Sequence, residues 1–239
     1  MENNRKIDAF LLLNELHEVI NSRDRREIWN FIVCSLNKIK SELADAKKSK
    51  YSVYENDCNY ISGIFMRSIL DYMKIEMLTS SRDWIKDKKN VEQVWLSVWD
   101  CKDRIDFCRE RVHLDLFDKI DYSLKETLRF YREQFGPGAY MSPELKVLKR
   151  NCSICKDNIK KCSHLSGVIY NGSLCSEILI DVELIGGSLV SYPRDHRCRA
   201  WPWRIDENGK SEVLFISTYC IGDFLDNDDW FDLNSSCPW

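Results

Sequence analysis

The first 135 residues contain no proline and a single glycine, Gly63; all five prolines and the other eight of the nine glycines lie from Gly136 onward. Helix breakers are therefore confined to the second part, and a Leu-, Lys-, Glu- and Arg-rich stretch without them favours helix. Also absent is any uninterrupted apolar run of the roughly 18 residues that a membrane-spanning helix needs. The short run AFLLL near the start is interrupted by Asn14 and Glu15 and precedes no small-residue cleavage site, so it reads as a helix and not as a signal peptide. These absences set the expectation of a cytoplasmic protein with no membrane partner. A strong charge of one sign is missing too. The net charge is −3, and residues 1–135 hold 24 basic and 24 acidic side chains, which leaves 11 and 14 for the remainder of the totals of 35 and 38. Such a balance does not point to a dedicated nucleic-acid binder.

What is present begins with apolar stripes. Ile28, Ile32, Leu36, Ile39 and Leu43 recur at three- and four-residue intervals, as do Val91, Val94, Val98, Cys101, Ile105 and Cys108, and Leu116, Ile120, Leu124, Leu128 and Tyr131. Each stripe gives one apolar face to a helix. Four or five helices are expected between residues 5 and 134, packed as a bundle with Trp29, Trp84, Trp95 and Trp99 in its interior. From Gly136 the pattern changes. GPGAYMSPELK is a turn-rich junction, and LCSEILIDVELI, GGSLVSY and SEVLFISTY are β-branched stretches of strand length bounded by Gly or Pro. ENGK, Glu207 to Lys210, reads as a hairpin turn. The expected fold class is α+β: a helical bundle domain over 1–135, then a small zinc-stabilised β-rich domain over 136–239 that ends in an acidic, aromatic tail.

Eleven cysteines in a chain of this length, without an export signal, point to thiols with some on metal and not to a disulfide scaffold. Cys34, Cys58, Cys101 and Cys108 fall in helical surroundings and read as small core residues. The segment from Cys152 to Cys175 is different. It holds Cys152, Cys155, Cys162 and His164 in the pattern Cys-x2-Cys-x6-Cys-x-His. A Cys-x2-Cys pair on a tight knuckle presents two thiolates on one side, and the Cys-x-His pair completes a tetrahedron. Cys175 is the alternative to His164 as fourth ligand. Four protein ligands saturate the ion, so the zinc expected here is structural.

This segment resembles one found in tailed-phage proteins of the prohead-protease type. The shared elements are Cys152, Cys155, Cys162, His164, Gly167, Tyr170, Gly172, Cys175, an acid at Asp181, Ser188-Leu189-Val190 and Pro193, which together cover about residues 150–195. The resemblance implies a zinc-bound β module and a phage-related or anti-phage setting. It does not imply proteolysis, because no histidine stands in a strand context upstream to supply the family's His and Ser pair.

Two further stretches bear on partners. YPRDHRCRAWPW and the residue after it combine Arg194, Arg197, Arg199 and Arg204 with Trp201 and Trp203, residue types that suit a protein interface and also suit stacking on bases. RERVH, Arg109 to His113, stands one residue short of the Arg-x4–6-His signature of helical HEPN-type ribonucleases. The leading expectation is a non-enzymatic recognition or adaptor protein whose zinc fixes a surface that shows the Arg/Trp stretch to a protein partner. The alternative is a nucleic-acid-binding protein or nuclease with Arg109, His113 or His196 in catalysis. The helical domain also offers a surface for homo-oligomerisation.

Overall fold

The computed structural model describes residues 24–46, 52–112, 114–205 and 211–215. Among them are four α-helices followed by a four-stranded sheet. The expected N-terminal helix, His113, the ENGK turn and the acidic tail lie outside the described residues.

The helices begin where the sequence supplies caps. Asp24 Oδ1 accepts from the backbone N–H groups of Arg26 and Glu27 and starts α1, Arg25–Ala46. Ser52 and Glu55 form a reciprocal capping box at the start of α2, Val53–Thr79: the Ser52 N–H donates to Glu55 Oε2 at 3.0 Å and the Glu55 N–H to Ser52 Oγ at 3.3 Å. Asp87 caps α3, Lys88–Arg109. The fourth helix, α4 (Asp115–Phe135), ends at Gly136, whose φ of 73° with ψ of −174° is a backbone conformation open to glycine. The predicted stripes are the buried faces: Ile28, Ile32, Leu36 and Ile39 on α1, and Val91, Val94, Val98, Cys101, Ile105 and Cys108 on α3. Cys34 departs from the core expectation and is exposed. It stands two residues, about 200°, from Ile32 and Leu36 on their helix.

The strands are β1 (Ala139–Cys152), β2 (Glu177–Val190), β3 (Arg199–Ile205) and β4 (Ser211–Phe215), in the sheet order β2-β1-β3-β4. β3 and β4 form the expected antiparallel hairpin, with Ile205 opposite Ser211. The stretch read as a turn-rich junction is in fact most of β1. Pro143 is tolerated there because β1 pairs with β3 at Ala139 and Tyr140 and, among the described residues, no further along, so no ladder bond to β3 is lost. ILIDVELI and GGSLV, read as separate strands, are one.

The chain forms two compact units, and they do not follow the boundary expected at residue 135. Of the described residues, one unit holds 24–70 with 152–177, and the other holds 71–151 with 178–215. The physical reason lies in the contacts of the inserted cysteine segment: it packs against α1 and the first part of α2, whereas β3 packs against α3 and α4. In the second unit Trp201 is fully buried between Trp95, Tyr131 and Phe135, with ring centroids 5.4, 5.6 and 5.2 Å away. Tyr131 donates its hydroxyl to the Val91 carbonyl at 2.7 Å and so joins α4 to α3. A Cβ at Gly138, φ 87°, would come 3.0 Å from the Arg199 guanidinium carbon, so the chain between α4 and β1 needs glycine at this point.

Truncating this aromatic centre removes a large buried side chain without a replacement. Trp201→Ala is expected to lower unfolding free energy by about 3–5 kcal/mol, read as a fall in the urea midpoint at unchanged slope.

Candidate metal centre

Local turns bring the ligand atoms together. At the first knuckle the Cys152 N–H donates to the Asp157 carbonyl at 2.8 Å and the Lys156 N–H to the Cys152 carbonyl at 2.9 Å, with Lys156 at φ 65°. The second element is a small hairpin. Tyr170 and Ser173 exchange backbone bonds around Asn171 and Gly172, whose φ values of 52° and 73° are those of a type I′ turn. Ser153 joins the two pieces: its N–H donates to the Ser176 carbonyl, its hydroxyl to the Leu174 carbonyl, and the Ser176 N–H to its Oγ.

The hairpin tip is seated on α2. The Gly172 N–H donates to Asp57 Oδ1 at 2.7 Å and the Asn56 amide to Asn171 Oδ1 at 2.6 Å. A Cβ on Gly172 would lie 2.5 Å from a Leu43 methyl of α1 and 3.2 Å from the Asn56 carbonyl oxygen, at a φ of 73° that itself favours glycine, so a side chain here would have to displace Leu43. Burial raises the Asp57 carboxyl above its ordinary range, against the pull of the Gly172 N–H. The sequence carried no sign of the Asn56–Asp57 clamp, since its two halves are more than a hundred residues apart.

Cys152, Cys155, Cys162 and His164 converge, with ligand atoms all within 4.8 Å of one another. His164 Nδ1 lies 3.2 Å from Cys162 Sγ and 3.8 Å from Cys152 Sγ. Its ring meets the edge of Tyr170 at 4.7 Å, and the Tyr170 hydroxyl accepts from the Leu165 N–H. Cys175 reaches the same cluster from behind, with its Sγ 3.7 Å from Cys152 Sγ. Backbone donors face the sulfurs: the Ile154 N–H points at Cys152 Sγ at 3.3 Å and the His164 N–H at Cys162 Sγ at 3.1 Å.

These donors set the charge state. Burial would raise the Cys152 thiol, but the N–H groups of Cys155 and Ile154 outweigh it and bring it below its ordinary value. Burial and the neighbouring sulfurs push Cys162 and Cys175 up. Without a cation the neighbouring sulfurs oppose one another's ionisation. A bound cation removes that conflict, because it lets several sulfurs ionise together. The donor set, three thiols and an imidazole in a shell braced by N–H donors, fits a borderline-soft metal ion.

The structure places the other expected site residues elsewhere. Arg194 is exposed, but Arg197, Arg199 and Trp201 are 3%, 2% and 0% exposed. The surface expected at these three residues is therefore corrected: they are interior groups of the second unit. Arg197 donates to Asp100 at 2.7 Å, Asp103 at 2.6 Å and Asp195 at 3.1 Å. The side chains of Trp203 and Arg204 lie outside the described residues.

The nuclease candidates are not assembled among the described residues. Arg109 is paired with Asp106, Asp118 and Asp121. His196 stacks on Trp99 at 3.9 Å, and Trp99 is ten residues and about 15 Å along α3 from Arg109. No protein-family model, curated protein or solved structure matches the chain. The likeness to prohead-protease-type proteins therefore rests on residue spacing alone.

Metal analysis of the purified protein is expected to find one ion per chain, lost in Cys155→Ser and in His164→Ala and retained in Cys175→Ser. Retention without His164 would instead give the fourth position to Cys175. His196 makes a separate prediction. Burial pushes its ring below the ordinary value, with Asp195 and Asp103 pulling the other way. Its folded-state value lies below the unfolded value of about 6.5, so the unfolded chain takes the proton first, and stability falls as pH drops below about 6.5. His196→Phe keeps a stacked ring and is expected to flatten that fall in urea midpoints measured from pH 7 to pH 5.

Proposed function

We propose that Cys152, Cys155, Cys162 and His164 hold one zinc ion, and that the chain is a non-enzymatic recognition or adaptor protein built on that module. The observation that carries the reading is the closed ligand set. Zinc takes four ligands in a tetrahedron, with Zn–S near 2.3 Å, which puts ligand atoms about 3.7 Å apart. Four protein donors leave no position for a reactive water, so the ion's work is to fold residues 152–177, a segment too short to bury a core of its own.

Other observations support the same reading. The nine described cysteines are all free thiols, which suits a reducing, cytoplasmic setting. No described helix is long and apolar enough to cross a membrane. Two of the arginines that the nucleic-acid alternative would use are occupied internally: Arg197 by carboxylates, Arg199 by carbonyls and indole faces.

Two measurements test the proposal. Chelation is expected to abolish hydrogen-exchange protection across 152–177 while α3 and α4 keep theirs. A single-stranded RNA or DNA of about 30 nucleotides, mixed with the protein at about 50 mM salt where phosphate contacts are strongest, is expected to show no complex. A salt-sensitive complex would move the assignment to nucleic acid.

A further inference from the structure

β2 is an edge strand of 14 residues that, among the described residues, pairs on one side only, with β1. Successive side chains of a strand alternate between faces. Ile178, Ile180, Val182 and Leu184 share one face, and Glu177, Leu179, Asp181, Glu183 and Ile185 the other. Leu184 is 72% exposed, Ile185 59%, Ile180 52% and Val182 38%.

Contacts with β1 give the direction of the pair. Lys146 binds Glu183 at 3.0 Å, and a Cβ on Gly186 would face Glu144 at 3.9 Å. As one residue number rises the other falls, so the pair is antiparallel. Leu145 and Val147 of β1, each half-buried, thus share the face of Val182 and Leu184. One side of the ribbon is apolar throughout this stretch, the other sets the acids among Leu148, Leu179 and Ile185, and both sides are largely uncovered among the described residues.

Proteins usually protect such an edge with lysines, prolines, bulges or a short strand. Here the edge strand is long, apolar on one face, and carries three acids and no base. Asp181 has no ion pair among the described residues, and Glu183 pairs only across the exposed surface with Lys146. A second copy of the chain is a poor match, because two β2 strands in one seam would bring their carboxylates together, and like charges opposite one another destabilise a pair. An added strand that places bases against Asp181 and Glu183 and aliphatic side chains beside Ile180, Val182 and Leu184 satisfies both faces and the open main chain.

We propose that the outer edge of β2 receives an extended segment of a partner protein whose sequence alternates Lys or Arg with Val, Ile or Leu. This rests on the recognition reading and gives it a partner class, but it does not depend on which metal fills the cysteine cluster.

The test uses the full chain with its metal bound. A fluorescent ten-residue peptide alternating Lys and Val is titrated by anisotropy beside a block peptide of the same composition and an alternating Glu/Val peptide. The alternating basic peptide is expected to bind about tenfold more tightly than either control, and to protect amides of 178–185 from exchange. Asp181→Lys is expected to weaken it about tenfold with metal content unchanged. Equal binding of the block peptide, protection elsewhere, or no binding overturns the proposal. So does a concentration-dependent dimer that protects the same amides and excludes the peptide, which would make the occupant a second copy. The nucleic-acid assay separates the two levels. No peptide complex and no RNA complex removes the edge-strand proposal alone. An RNA complex without a peptide complex removes the recognition reading with it.

Discussion

Two guanidinium groups are buried at the start of β3, and the second unit is arranged around compensating their charge. Taking a cation out of water costs several kcal/mol unless charges or dipoles replace the solvent. Arg197 is met by three carboxylates, two from one face of α3 and one from Asp195 beside it. Burial works against its charge, and those carboxylates more than compensate, so it stays ionised. Arg199 has no carboxylate among the described residues. It donates to the carbonyls of Phe135 and Gly136 at the end of α4, and its guanidinium lies over the rings of Trp95 and Trp201 at 4.7 and 4.4 Å. The negative end of a helix and the faces of two indoles replace the missing counter-ion. Burial leaves its pKa below the ordinary arginine value. Trp95 adds a bond from its indole N–H to the His196 carbonyl at 2.7 Å. Removing either arginine would leave carboxylates or helix carbonyls without their donors.

The cysteine segment meets the same problem with different chemistry. Few of its side chains are apolar and buried, and Leu165 and Val168 face solvent. Its order comes from turns with left-handed residues, from serine bonds across the two loops, and from the anchor that Asp57 provides for Gly172. Those bonds aim the sulfurs inward. They do not neutralise the charge that ionised sulfurs would carry, which is the part a metal ion supplies.

The sheet of the second unit is unequally finished. β3 is buried at Ala200 and Trp201, and β1 at Tyr140, but the ribbon of β1 and β2 runs on with its apolar side uncovered among the described residues. Arg197, Arg199 and Trp201, which look like recognition groups in sequence, are used for packing, and the aliphatic strand β2 faces outward.

Much of this was legible from residue order. Helices need only local spacing and caps, and the stripe over Val91 to Cys108 or the Asp24 cap are local signals. The ligand cluster was legible for the same reason, since thirteen residues from Cys152 to His164 hold all four donors. Burial was not legible for the Arg/Trp stretch. Arg197 could be placed inside only because Asp100 and Asp103, almost a hundred residues earlier, stand one helical turn apart and face it. Pro143 disguised β1 because a strand free on one side over that stretch accepts proline, and sequence does not say which side is free. The residue order by itself determined periodicity, caps and short-range ligand spacing, because each involves neighbours along the chain. Tertiary structure alone decided which charges are buried, which apolar strand is exposed and how the chain divides, because each depends on partners that only folding brings together.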